Sequence, residues 1–407
     1  MLTNLKENRP RPSILDLASE VRKNYDLTGG ISDRDVESLC KGLVFSKTQY
    51  RYLGRKELEH IAHLVFCSLR CELEILQDLA DDPEVSEIMI NGKNHVFYEK
   101  NGSIHRANLE FESSEQLEGI IQRLAAKVGR EMNDLNPIVD ARLSDGSRVN
   151  AVNSNIAING PILTIRKFNK SRMSMEDLIS RGDISGEAAS FLKELVESGY
   201  NMFVSGGTSS GKTTFLNVLS DYIPPDERVI VIEDSAELQI RNHENLVRME
   251  SKSANAQGKG EVPIKELIKS SLRMRPDRII VGEVRGDEVV DMLAAMSTGH
   301  DGSLSTGHAN SPAGMIGRLE TLHIAASGFP MQAVRSQIAG AIEIFIHLQR
   351  FAEGHRRVTE ISEIAGIEDG KIILNKLFVY VPGKGLQKTE NDLIHKEKYE
   401  MYHERIS

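Results

Sequence analysis

The run Gly206-Gly207-Thr208-Ser209-Ser210-Gly211-Lys212-Thr213-Thr214 carries the spacing G-x-x-x-x-G-K-[ST]. A triphosphate needs several donors converging on it, and glycines let consecutive backbone N–H groups face inward with no Cβ in the way. In such a loop Lys212 reaches the β- and γ-phosphates and Thr213 offers its hydroxyl to Mg²⁺. A helix opening near Gly211 would aim its positive end at the anion. A Gly/Ser/Thr-rich surface turn can match this pattern by chance. The context decides against that: the apolar run Met202-Phe203-Val204-Ser205 precedes the loop, and Phe215-Leu216-x-x-Leu219 follows at helical spacing. ATP and Mg²⁺ are the cofactors expected.

Hydrolysis needs more than binding, because a water must be placed in line and Mg²⁺ held. Three further stretches offer groups for this. Glu233 and Asp234 follow the apolar run Val229-Ile230-Val231-Ile232, so Glu233 could orient or deprotonate the attacking water; an acidic surface turn is the competing reading. Glu283 follows Arg278-Ile279-Ile280-Val281-Gly282 at a place where many P-loop enzymes hold Mg²⁺ with an Asp, and it would act on the metal through water. His300 and His308 lie eight apart in the Gly/Ser/Thr-rich segment Thr298 to Asn310, where both could contact the γ-phosphate and report its presence.

These groups work only at the carboxyl ends of parallel strands, so the chain must supply such strands. From about residue 174 apolar segments alternate with helical ones, which implies a sheet covered on both faces, the RecA-like form of the P-loop fold. Upstream, β-like runs at 86–90, 95–98, 138–143, 148–152 and 162–168 surround a helical segment at 114–128 and read as an α+β domain with a mostly antiparallel sheet. Before them, Leu58, Ile61, Ala62, Val65, Phe66 and Leu69 keep helical period. The expected division is a helical bundle over 1–80, the α+β domain over 81–168, a basic linker over 169–175, the RecA-like domain over 176–385 and a charged, frayed tail over 386–407.

Composition narrows the function classes. With 407 residues, two or three domains are expected. A formal net charge of -9 argues against a sequence-independent grip on nucleic acid. No continuous apolar stretch suits a signal peptide or a spanning helix, so a cytoplasmic protein with at most peripheral membrane association is expected. Cys40, Cys67 and Cys71 read as reduced helix-packing thiols, and no zinc site is expected.

Taken in order, the P-loop, the first acid, the Gly282-Glu283 pair and the two-histidine box resemble the secretion-superfamily ATPases of type II secretion, type IV pili, type IV secretion and archaella. Within that group, Met274 to Gly286, Thr298 to Ser303, Ser86 to Gly92 and Asp145 to Ala151 are similar to the CpaF-type ATPases of tight-adherence (Tad) pili. The resemblance spans about residues 75 to 367. The eight-residue histidine spacing and the lack of a four-cysteine insertion fit the Tad and type IV secretion branches. Gly307 departs from the bulky apolar residue usual before the second histidine.

The resemblance implies a PAS-like N-terminal sheet domain and a homo-hexamer. It also implies ATP held between the N-terminal and RecA-like domains of one chain, with Arg148 and Arg166 reaching the γ-phosphate and releasing it on hydrolysis. The activity so implied is ATP hydrolysis that powers Tad pilus assembly or retraction through an inner-membrane platform protein. The alternatives are a type IV or type II secretion motor, a nucleic-acid-dependent RecA-like ATPase, and a nucleotide-binding scaffold without turnover.

Overall fold

A computed structural model describes residues 12–27, 30–143, 145–168, 173–252, 254, 259–351 and 354–406. Residues 169–172 of the expected basic linker lie outside them. The chain forms two compact units that divide at residue 170.

In the first unit, α1 (Ile14–Asn24), α2 (Asp33–Ser46) and α3 (Arg55–Arg70) open the chain. Ser13 and Ser32 cap the first two by accepting from Asp16 N and Asp35 N. Leu17, Val21, Val36, Cys40, Val44, Ala62 and Val65 share their core. The short α4 (Gln77–Asp81) leads into a sheet of β1 (Val85–Asn91), β2 (Val96–Lys100) and β3 (Ser103–Arg106). The sheet continues, after α5 (Ser114–Lys127), with β4 (Ile138–Arg142), β5 (Arg148–Val152) and β6 (Ile162–Arg166). Among the described residues its order is β3-β2-β1-β6-β5-β4, every neighbour antiparallel. Alternate residues (Ile88, Ile90, Val149, Ala151, Leu163, Ile165) join Leu117, Ile120, Ile121 and Leu124 of α5 in one core.

The second unit starts with α6 (Met175–Ser180), α7 (Gly186–Glu197), β7 (Met202–Gly206) and α8 (Lys212–Ser220). Next come β8 (Val229–Glu233), β9 (Leu246–Glu250), α9 (Ile264–Ser271), β10 (Arg278–Val281) and α10 (Glu288–Met296). β11 (Leu304–His308), α11 (Pro312–Ser327) and α12 (Met331–Ala341) follow. The unit ends with β12 (Ile344–Arg350), β13 (Arg356–Glu368), β14 (Lys371–Val381), β15 (Gly385–Lys388) and α13 (Glu397–Ile406). The sheet order is β15-β14-β13-β12-β7-β11-β10-β8-β9; from β12 to β9 every neighbour is parallel, and the other end is antiparallel.

Successive residues of the buried strands feed opposite faces. Met202, Val204, Val229, Val231, Ile344 and Ile346 enter one core with α7 and α8. Phe203, Ile230, Ile232, Ile279, Val281 and Phe345 enter the other with α10, α11 and α12. This is the α/β, RecA-like arrangement expected, and it places the P-loop strand between β11 and β12.

The tail differs from the frayed segment expected. β15 pairs with β14, and Tyr402 of α13 donates to Glu197 at 2.7 Å while Tyr399 bonds Glu194. Lys398 lies 2.8 Å from both Asp301 and Glu343 and donates to Gly199 O at 3.1 Å. A few long polar anchors hold a segment whose low hydropathy conceals them. Among the described residues no helix is long and apolar enough to cross a membrane.

Candidate functional site

The carboxyl ends of β7, β8, β10 and β11 lie side by side, so the loop after β7, Glu233, Glu283 and His308 gather at one edge of the sheet. The loop is shaped by close approach and by left-handed backbone. A Cβ on Gly206 would come within 2.5 Å of Leu348 O and of Ser210 Oγ. Ser209 and Gly211 take φ of 56° and 93°, turning the chain so that α8 begins at Lys212. The Ser210 hydroxyl is buried, with no hydrogen-bond partner among the described residues. Lys212 is buried and donates to Gly206 O at 3.2 Å and Gly207 O at 3.0 Å, so its ammonium sits in the mouth of the loop. Glycine backbone, helix N-terminus and ammonium together make a cradle that fits a polyphosphate, with the Thr213 hydroxyl in the first turn of α8 available to a divalent cation.

Glu233 is the last residue of β8 and only 4% exposed. Its Oε1 accepts from Glu237 N at 2.8 Å and Leu238 N at 2.9 Å, which fixes the side chain. Burial raises its pKa above the ordinary carboxylate value, and the two N–H bonds oppose that only in part. A fixed carboxylate of raised basicity is suited to taking a proton from water. A Cβ on Gly282 would approach Glu233 Cγ to 2.9 Å, so the glycine standing where an Asp is common makes room for this acid.

Glu283 has basic partners on both oxygens. Arg285 Nη2 donates to Oε2 at 2.6 Å, and His308 Nε2 lies 2.7 Å from Oε1. The other ring nitrogen of His308, Nδ1, lies 3.2 Å from Lys212 Nζ. An ammonium can only donate, so Nδ1 accepts and the proton sits on Nε2, facing Glu283. Burial, followed by the Lys212 charge, lowers the His308 pKa and keeps the ring neutral. Lys212, His308, Glu283 and Arg285 thus lie in one row, in which the His308 ring closely approaches Glu283 Oε1 without a hydrogen bond of normal geometry.

The two histidines are not brought together. β11 runs in register with β7 from Leu304 to His308, which puts His300 beyond the amino end of the strand, at the opposite edge of the sheet. The strand alone spans about 13 Å at roughly 3.3 Å per residue. His300 Nδ1 instead pairs with Ala295 O at 3.1 Å, beyond the end of β11 opposite to His308. The departure at Gly307 also has a cause: a Cβ there would come within 2.9 Å of Met315 Sδ and Cε and 3.0 Å of Phe203 Cε1, so these side chains occupy the space a bulky residue would fill.

In the first unit, cross-strand pairing places Arg142, Arg148 and Arg166 on one rung, continued by Glu87 and Glu99. Like charges directly opposite one another are destabilising, and Glu87 opposite Arg166 offsets part of that. Sequence reading found Arg148 and Arg166 and missed Arg142. The signal was there, because Arg142 and Arg148 are equidistant from the turn residue Asp145 and such positions face each other in a hairpin.

Comparison with known proteins settles the family. Residues 71–370 match the family described as Type II/IV secretion system protein. The chain belongs to the type II/IV secretion system protein family. It is a secretion ATPase. A Mycobacterium tuberculosis protein whose name provisionally assigns it to conjugal transfer is 36% identical over 300 residues, covering 72% of this chain and 85% of its own. The VirB11 protein of Agrobacterium fabrum is 31% identical, covering 73% of this chain and 92% of its own. The crystal structure of the pilus retraction motor PilT with bound ADP shares the fold of this secretion ATPase at a TM-score of 0.51 and 20% identity, over 82% and 87% of the two chains. The two sequence relatives are named for conjugal transfer and as VirB11, and the fold neighbour PilT for pilus retraction; none of these names is that of the Tad pilus that the sequence runs suggested.

Proposed function

We propose that this secretion ATPase is a traffic motor of the type IV secretion and conjugal-transfer kind, acting in the cytoplasm as a homo-hexamer at an inner-membrane export complex. The observation that carries the reading is the row of strand ends that sets Lys212, Glu233, Glu283 and His308 around the P-loop, in a chain whose relatives bear VirB11 and conjugal-transfer names.

Gly206 to Gly211 wrap the phosphates with backbone N–H groups, and Lys212 exchanges its loop carbonyls for phosphate oxygens. Mg²⁺, when bound, would supply positive charge to the phosphates; Thr213 would hold it and Glu283 would act on it through water. Glu233 takes the proton of the attacking water. His308 couples Lys212 to Glu283, so the arrival of an anion at Lys212 is felt at the second acid. For Arg148 and Arg166, on one rung of the first unit's sheet, the role proposed is the one that the family resemblance implies, neutralising charge on a phosphoryl group. The test is phosphate release by wild type and Glu233→Gln beside direct nucleotide binding: loss of turnover with binding retained supports the assignment, and equal rates remove Glu233 from it.

A second reading, a Tad pilus motor, is favoured by the runs Ser86 to Gly92, Asp145 to Ala151, Met274 to Gly286 and Thr298 to Ser303. The inner-membrane protein that co-purifies distinguishes the two. A conjugation-type coupling protein supports the first, and a pilus platform protein supports the second. ATPase activity that rises with single-stranded DNA and collapses with salt would instead indicate a nucleic-acid-driven enzyme, which the net charge of -9 disfavours.

A further inference from the structure

Away from the P-loop, the helical start of the chain brings together a set of donors that the motor does not use. His63 and Cys67 are one helical turn apart on α3 and share a face. His63 Nε2 lies 3.5 Å from Cys67 Sγ and 2.7 Å from Asp78 Oδ1 of α4. The three ligand atoms fall within 4.8 Å of one another, and among the described residues no other such group of His, Cys, Asp and Glu comes together. Cys71 stands one further turn along, just after α3.

We propose that His63, Cys67 and Asp78, with a water in the fourth position, bind a zinc ion that clips the helical bundle to the segment leading into β1. A tetrahedral zinc with bonds of about 2.0 to 2.3 Å needs ligand atoms about 3.3 to 3.8 Å apart. The His63–Cys67 separation is already in that range, and the His63–Asp78 pair has to open by less than about 1 Å. The donor set selects the metal: thiolate and imidazole favour zinc over magnesium or calcium, which take oxygen ligands. Cys67 is buried, whereas His63 is partly open and Asp78 exposed, so an ion has a path in from the Asp78 side. This site reverses the expectation that the cysteines serve packing alone. Cys40 does fit that expectation, buried in the bundle core with Val36 and Val44.

The test uses the full chain, stripped by chelator under reducing conditions and titrated with zinc chloride alone. Wild type and Cys40→Ser are expected to take up one equivalent and to melt at a higher temperature with zinc. Cys67→Ser and His63→Ala are expected to lose both effects, and Asp78→Asn to bind more weakly by about tenfold or more. Cobalt in place of zinc gives a thiolate charge-transfer band in wild type that Cys67→Ser lacks. Because Asp78 is exposed, Asp78→Asn keeps its fold even if the core variants do not, as circular dichroism checks. The inference is overturned if wild type retains no zinc, or if Cys67→Ser and Asp78→Asn retain as much as wild type.

Discussion

His308 stands between Lys212 and Glu283, its Nδ1 3.2 Å from the ammonium and its Nε2 2.7 Å from the carboxylate. A proton on Nδ1 would set an imidazolium against Lys212, so the ring works in its neutral form. Burial and the Lys212 charge hold its pKa below the usual histidine value, and the unfolded chain therefore takes up this proton more readily than the folded one. Stability is full above about pH 6.5 and falls as the pH drops through the unfolded value toward the lower folded one. Burial lowers His347 too, and it contributes to the same limb. Thermal melts between about pH 7.5 and 5 are expected to show a shallower acid loss for His308→Gln than for wild type. Parallel curves for the two proteins would remove His308 as a titrating group.

Gly307 gives a packing prediction. A side chain there meets Met315 and the less yielding Phe203 ring, so Gly307→Ile is expected to destabilise by about 1–3 kcal/mol. Adding Met315→Ala restores part of the loss, because it empties the space the new side chain enters. Denaturant unfolding measures both, and no recovery in the double variant would mean that Phe203 alone sets the limit.

Gly282→Ala pushes a methyl toward Glu233 Cγ, which a Cβ would approach to 2.9 Å. Glu233 is held by two N–H groups and cannot retreat without losing them. Turnover is expected to fall about tenfold to a hundredfold with nucleotide affinity little changed. Steady-state phosphate release against nucleotide binding separates the two; a fall in affinity alone would place the damage in the P-loop instead.

Removing the tail anchor Lys398 leaves Asp301 and Glu343 without their shared cation. Lys398→Ala is expected to cost about 1–2 kcal/mol and to speed tryptic cleavage within the last turn of chain before α13. Cleavage rates equal to wild type would show that Tyr399 and Tyr402 hold the helix without it.

How far the chain could be read depended on how each element advertises itself. β7 and β8 are continuous apolar runs because both faces are covered, and the P-loop and Glu233 follow directly from them. β11 is just as central yet reads as a loop, since Ser305, Thr306 and Gly307 carry little apolar surface. Its hydroxyls are instead satisfied inside the sheet, Ser305 on Val281 O and Thr306 on Gly282 O. Missing that strand is what let His300 and His308 seem neighbours, when they bracket its two ends. The arginine rung was half legible: Arg148 and Arg166 came through resemblance, whereas Arg142 needed the hairpin register. The His63, Cys67 and Asp78 group was hidden because Asp78 joins from a different helix.

The central claim is that the edge formed by Lys212, Glu233, Glu283 and His308 hydrolyses ATP with Glu233 as the base. Phosphate release with saturating Mg²⁺ and ATP, measured for wild type and Glu233→Gln at matched nucleotide occupancy, tests it most directly. The expected result is steady release by wild type and a loss of about a hundredfold or more in the variant, with binding intact. Equal release by the two proteins, or none by wild type, would contradict it.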